Sequence, residues 1–473
     1  MVVYGGVDAY KKLTFSALVF DIGSHTTRAG YAGEDTPKCV IPTAHGYLDV
    51  DGTSSASTIK DGDTTMDDDT LPTSVQTESK DGRVRKYFVG EDGANVWRAG
   101  MEVGTLMGDG IIQDPSSLPP LLSHALHSRL RVNPEDHPLL STEAAWNPTS
   151  NREIMAELVF EQENVPAWFT ACSGVLSSFA AGKPTSLVVD VGNDLVSITP
   201  VLEGYVLKGG TRRQPLAMAL LHSQIKSYLQ KPNPARSFPL SLTPFQLMKT
   251  RTPVPAGQAP RFTTKQDRLA DGKTTASWQE YAENKVVENW RESCVNVYET
   301  PYEERYVAQR APRPYEFPDG FNASYGSERY KFGEALFNPQ FIDRSVVPPS
   351  CLRHTTNTAH SRSIDQVISI AQLAHEAVMA CDVDVRAALL SNVVVAGGGS
   401  LLAGFTDRFN YELGVLLPGQ KIRIHASGHA TERRFSSWLG GSVLASLGTF
   451  HQLWISKEEW LESGPKIIAQ KCK

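Results

Sequence analysis

Paired cysteines are missing from this sequence. Its six (Cys39, Cys172, Cys294, Cys351, Cys381 and Cys472) are scattered, with no CxxC pair. That spacing excludes a disulfide framework and a zinc ribbon and favours a reducing compartment. Long apolar runs are missing too. None approaches the ~20 residues that cross a bilayer. The apolar run in the opening MVVYGGVDAYKKLTFSALVFD is too short for a secretory leader. There is no basic surplus either: the net charge is −6, so composition gives no sign of nucleic-acid binding. No run of basic residues marks a nuclear import signal. The expectation is a soluble protein of the cytosol or nucleus.

What is present is length and alternation. A chain of 473 residues exceeds one simple core, so two domains or a bilobal unit are expected. Residues 46–82 are rich in Asp, Ser, Thr and Gly with few apolar residues, and read as a flexible acidic surface insertion that cannot fold alone. A solvated loop is the plainer reading there, ahead of a histone-binding tail. Residues 231–260 hold seven prolines, which exclude long helices and central strands. Residues 339–363 also read as loop. SNREIMAELVFEQEN predicts a helix opened by a capping box, with Ser150 as the cap and Glu153 three residues on. SIDQVISIAQLAHEAVMAC predicts another helix. SLVVDVG and NVVVAGGGS predict buried strands that end in glycine.

Two of these places match. LVFDIGS ends a strand at Asp21-Ile22-Gly23, and LVVDVGN ends one at Asp190-Val191-Gly192. Each is followed by an alternating return, the second turning at Gly204. The repeat predicts a duplicated α/β fold whose halves face each other across a cleft. A glycine turn after a strand presents backbone N–H groups to an anion. A carboxylate beside phosphate needs a cation between them. Asp21 and Asp190 therefore suit hydrated Mg²⁺ bound through water. Arg28 can fork onto phosphate oxygens. Gly397-Gly398-Gly399 lets backbone pass close to a nucleoside. A lone Asp-x-Gly is usually only a turn; two matched ones followed by a strand-Gly-Gly-Gly are far more specific.

These residues lie in blocks that resemble the actin family, of the actin–Hsp70–sugar kinase superfamily. FDIGSHTTRAGYAGEDTPK, RVNPEDHPLLSTEAAWNPTSNREIMAELVFEQENVPA, CDVDVRAALLSNVVVAGG and ERRFSSWLGGSVLASLGTFHQLWISKEEWLESGP follow actin's order over roughly half the chain. Within the family the likeness is to its nuclear, actin-related branch, on VYGG near the start, the ERRFSSWLGG block and the inserted segment. The resemblance implies two lobes and four subdomains around a nucleotide cleft. These are 1–42, 106–180 and 436–473; then 43–105 with the insertion; then 181–216 and 366–435; and a divergent fourth, 217–365. It implies ATP with Mg²⁺, or Ca²⁺ in its place. The nucleotide would be held by Gly23, Ser24, His25, Arg28, Gly192, Asn193, Gly397, Gly398 and Arg434, and the metal by Asp21 and Asp190 through water.

The same resemblance shows departures. Ser173 stands where actin has the glutamine that positions the attacking water, Asn193 replaces an aspartate, and Ser197 replaces a histidine. His25 replaces a glycine and is expected to crowd the first phosphate turn. Because positioning and charge placement are most of phosphoryl-transfer catalysis, the expectation is ATP binding with little or no hydrolysis. Trp438, Leu444, Leu447, Phe450, Leu453 and Trp454 recur at helical spacing, and most should be core. By resemblance Phe179, Tyr205, Leu444, Leu447, Thr449 and Leu453 line a groove that takes a partner's amphipathic helix.

The resemblance thus implies a non-enzymatic nuclear subunit of chromatin-remodelling and histone-acetyltransferase complexes. It would pair with actin on the helicase-SANT-associated helix of a scaffold subunit and meet other complex subunits, with histones or nucleosomal DNA as further candidates and no membrane. The alternative is a hydrolysing, filament-forming actin-like ATPase. A sugar kinase would need a carboxylate base by a sugar pocket. A chaperone would need a peptide-binding domain, for which the actin-like block leaves no room.

Overall fold

The computed structural model describes residues 16–50, 76–78, 84–232, 236, 238–352 and 360–472. Two sheets carry the same wiring. In the first, Leu18–Ile22, Thr26–Tyr31 and Cys39–Pro42 form an antiparallel meander, and Leu139–Glu143 and Ala167–Cys172 extend it in parallel. In the second, Ser186–Val191, Val196–Leu202 and Tyr205–Val206 form the meander, and Val393–Ala396 and Ile424–His425 extend it in parallel. Parallel neighbours need crossovers. Helix Thr149–Glu157, continued by a wider turn through Gln162, supplies one, and helix Phe405–Leu416 the other. The duplicated α/β fold expected from the two Asp-x-Gly strands is the fold observed.

Apolar, β-branched strands such as Val393–Ala396, buried at every position, suit sheets covered on both faces. Each sheet has its own core. The first joins Val19 and Phe20 to Trp438, Trp454 and Trp460, so the end of the chain completes the lobe begun at its start. Ile455–Ser456 even pairs with Ala167–Trp168. The second core holds Val189, Leu221, Trp290 and Phe405. Helices Ser173–Ala180 and Ser436–Ser446 cross where the lobes join, and a Cβ on Gly440 would sit 1.8 Å from the Leu176 carbonyl oxygen.

Two smaller units rise above the cleft. One is a sheet of Ala44–Val50 between Val84–Phe88 and Glu102–Thr105, with Gln76–Glu78 outside. The other holds helix Ala276–Cys294 and the hairpins Met248–Thr252/Arg261–Thr264 and Arg313–Glu316/Asn322–Tyr325. No helix among the described residues is long and apolar enough to cross a membrane.

Four local expectations need correction. Residues 46–50 are strand, stitched to both neighbours, while 51–75, 79–83 and the VYGG segment lie outside the described residues. The Ser150/Glu153 capping box does not form: extended Pro148 takes the cap position, so Ser150 is already inside the first turn. The helix predicted over SIDQVISIAQLAHEAVMAC is only Ile370–Met379, because Ser369, not Ser363, makes the reciprocal bonds with Gln372. The C-terminal apolar series is not one helix. It stops at Ser446, Leu447 is extended, and a separate turn covers Gly448–Gln452.

Candidate functional site

The two acidic turns are built alike. Gly23 N–H donates to the Thr26 carbonyl at 3.0 Å, and Gly192 N–H to the Leu195 carbonyl at 3.0 Å. Both turns face one cavity of about 260 Å³. Asp21, Gly23, Ser24, His25, Arg28, Asp190, Gly192, Asn193, Gly397, Gly398 and Arg434 all line it, as do Ser173 and Ser197. Gly397 closes the cavity with φ of 85°, and a Cβ there would lie 2.3 Å from Asp190 Oδ1. Only glycine allows that approach.

The first aspartate is heavily engaged. Asp21 Oδ1 accepts from Thr142 Oγ1 at 2.6 Å, and Oδ2 accepts from Arg28 Nη1 at 2.7 Å and Ser437 Oγ at 2.9 Å. Arg28 thus spends one guanidinium nitrogen on Asp21 while lining the cavity. The two residues face each other in the hairpin register, and the guanidinium lies over the Phe435 ring. The second aspartate is different. Asp190 faces Ser197 across its hairpin, and burial pushes its carboxyl up to about 6, with Arg28 pulling down and Asp21 pushing up. Both carboxylates line the cavity, where water could link them to a hydrated cation; Asp21 already has Arg28 as an ionic partner. No cluster of three or more His, Cys, Asp or Glu among the described residues could ligate an ion directly. A water-mediated site sharing the phosphates is what these residues suit.

His25 does not simply crowd its turn. Its Nε2 reaches Glu288 Oε1 at 2.9 Å across the cleft, and Lys285 Nζ holds Glu288 Oε2 at 2.9 Å. Burial pushes the Glu288 carboxyl up, but His25 and Lys285 outweigh it and hold it well below the usual carboxylate range. Asn193 commits its amide to Asp194 Oδ1 at 2.7 Å. At the nucleoside end, Arg291 Nη2 and Arg434 Nη2 converge on Glu292 Oε1 at 3.3 and 3.4 Å. Arg434 also passes 3.8 Å from where a Gly398 Cβ would be. Planar guanidinium groups beside bare glycine backbone suit a purine ring.

Where the family resemblance puts the hydrolytic groups, the wall offers the hydroxyls of Ser173 and Ser197. Glu143, also on the wall, is held by Arg152 Nε at 2.8 Å and Asn147 Nδ2 at 2.9 Å. Sequence reading missed Thr142, Ser437, Glu288, Arg291 and Glu292. The last three sit on helix Ala276–Cys294 in the divergent region, where no motif marks them.

The six groove candidates lie outside the cavity. Phe179 packs near the Gly204–Tyr205 turn, while Leu444, Leu447, Thr449 and Leu453 follow one another at and beyond the end of helix Ser436–Ser446. Leu447, Leu453 and Tyr205 are 43%, 48% and 67% exposed, whereas Phe450 and Trp454 are core.

The chain matches the Actin family model over residues 12–473. Actin-related protein 4 of Mycosarcoma maydis is 36% identical over 542 aligned positions, covering 100% of this chain and 99% of the relative. Actin-related protein 4 of Arabidopsis thaliana is 35% identical, covering 99% and 100%. The SWI/SNF and RSC complexes subunit arp42 of Schizosaccharomyces pombe is 32% identical, covering 97% and 99%. With that match running nearly end to end, and with paired acidic turns and a strand-glycine turn framing one cavity, the chain belongs to the actin family.

Proposed function

We propose that this chain is a nuclear structural subunit of chromatin-remodelling and histone-acetyltransferase assemblies that holds ATP and hydrolyses it little or not at all. The name of the fission-yeast relative, a SWI/SNF and RSC subunit, supports the assembly and with it the nucleus. The observation that carries the inert-nucleotide part is the cavity wall: hydroxyls at Ser173 and Ser197, with Glu143 tied to Arg152 and Asn147. Short hydroxyls reach less far than the glutamine and histidine that the family resemblance puts there, which supports weaker positioning of an attacking water.

ATP in this cavity would touch both lobes. Backbone amides of the two turns other than those of Gly23 and Gly192, which close the turns, would hold its phosphates, and Arg291 and Arg434 would flank its base. A divalent cation, when bound, supplies charge neutralisation between phosphates and Asp190. Such a ligand favours the closed fold by mass action, by about 4 kcal/mol at a thousandfold excess over its Kd. The exposed Leu447, Leu453 and Tyr205 suit an amphipathic helix laid across the lower face. The occupant we propose is a long scaffold helix that actin shares.

The test is chromatography of nucleotide released by denaturing the purified protein, before and after incubation with ATP and Mg²⁺. ATP that stays ATP for hours supports this reading. ADP with free phosphate favours the hydrolysing, filament-forming alternative.

A further inference from the structure

The two walls of the cleft are bridged at its upper end as well as at its floor. Helix Ala276–Cys294 runs along one wall, with Trp278, Lys285 and Glu292 two turns apart on one face. Glu292 stands at the nucleoside end, Lys285 midway, and Trp278 at the top. There Trp278 is 1% exposed, packed with Met101 of the small upper sheet unit and with Leu247. Its Nε1 donates to the Ala94 carbonyl at 3.0 Å, and Val103 N–H donates to Ser277 Oγ at 2.9 Å. Midway, the His25–Glu288–Lys285 contact spans the same gap, from the first phosphate turn to the helix.

We propose that these two layers, an apolar zip and an ionic clasp, form a seal that traps nucleotide in the cleft and opposes exchange. The proposal rests on reading the cavity as a nucleotide site. Opening the mouth far enough to pass a nucleotide would re-expose Trp278 and Met101 and part His25 from Glu288. A large buried aromatic and a charge-assisted hydrogen bond both resist that. Each variant of one layer should therefore speed exchange by roughly 10- to 100-fold, the scale of one such bond. A seal hinders passage in both directions. Uptake and release should quicken together, with Kd changing much less than either rate. A lost binding contact would raise release alone.

The experiment loads the full chain with fluorescent etheno-ATP and chases with ATP. It compares the natural sequence with Glu288→Ala, His25→Gly and Trp278→Ala. Glu288→Ala, which empties no core position, keeps the test alive if Trp278→Ala folds poorly. Faster uptake and release in Glu288→Ala and His25→Gly, with no further gain in their double variant, support the clasp. Rates within about threefold of the natural protein in every variant overturn the seal. If neither the natural protein nor any variant takes up etheno-ATP, and none releases nucleotide on denaturation, the nucleotide reading fails. The seal is then judged by hydrogen exchange of residues 94–104 in the same proteins, where unchanged protection in Glu288→Ala and Trp278→Ala overturns it.

Discussion

Arg28 and Ser197 hold the same place in the two halves of the fold. Each faces, across its hairpin, the aspartate one residue before the end of the preceding strand: Arg28 faces Asp21, and Ser197 faces Asp190. One half therefore neutralises its own carboxylate and the other leaves it for something else. The Arg28–Asp21 pair is 13% and 4% exposed, so removing one partner strands a buried charge. Arg28→Ala should lower the unfolding free energy by about 2–4 kcal/mol, the lower end reflecting the donors kept from Thr142 and Ser437. Urea unfolding checks this. A loss below about 0.5 kcal/mol would mean the two hydroxyls alone satisfy Asp21.

Hydrolysis should be recoverable if Ser173 and Ser197 are what silence it. The double variant Ser173→Gln, Ser197→His restores the side chains that the family resemblance puts there. Phosphate release under single-turnover conditions should rise by at least about tenfold, the low end for a positioned polar group. No change in the double variant would move the block elsewhere, to Asn193 or the sealed mouth.

Gly440 tests how the lobes are joined. A Cβ there would lie 1.8 Å from the Leu176 carbonyl oxygen, backbone on both sides, with no side chain to move aside. Gly440→Ala should therefore destabilise by about 3 kcal/mol or more, or abolish soluble expression. Gly448→Ala, where nothing lies within 4 Å, should change the melting temperature little. Similar melting curves for the two variants would show that the helices can shift apart freely.

Much of this site was legible because its signals are local. Asp21-Ile22-Gly23 and Asp190-Val191-Gly192 carry strand, turn and charge within a few residues. What was not legible depends on distant chain or on competition between equal patterns. Thr142 and Ser437 reach Asp21 from 121 and 416 residues away. Ser363 and Ser369 each precede a glutamine by three residues, yet only Ser369 makes the capping box; after Gln366 the backbone turns extended at Val367. The Leu447 break interrupts a periodicity that sequence spacing alone continues straight through.

Acid should weaken the fold through two buried histidines. His222 Nε2 accepts from Arg291 Nε at 3.0 Å, which requires a neutral ring; burial and then Arg291 push its pKa down to about 3. Burial likewise pushes His45 down to about 4, with Asp114 opposing. Both folded values lie below the ordinary 6.5, so the unfolded chain binds these protons first. Their contribution is intact above about pH 6.5 and is lost as pH falls towards 4 and then 3. The slope reaches at most about 1.4 kcal/mol per pH unit for each ring. His222→Gln keeps an acceptor for Arg291 without titrating, so its stability should fall less steeply with acid. Parallel pH curves for the two proteins would remove His222 from the account.

Leu447 is exposed because helix Ser436–Ser446 ends one residue before it and the next turn points its neighbour Phe450 inward. With Leu453, Tyr205 and Val443 at 48%, 67% and 41% exposure, it offers apolar area that the described residues do not cover. If a scaffold helix covers it, a charge at its centre would be desolvated without a partner. Leu447→Asp should then weaken binding of a labelled scaffold helix by about 100-fold, near 3 kcal/mol, in anisotropy titrations with and without actin. Its melting temperature should stay close to that of the natural protein, since the side chain is solvated when free. Leu461→Asp is the control: it is 73% exposed on helix Lys457–Ser463, outside the six groove positions, and should bind normally. Unchanged affinity in Leu447→Asp would mean that the scaffold helix docks elsewhere, whatever the nucleotide does.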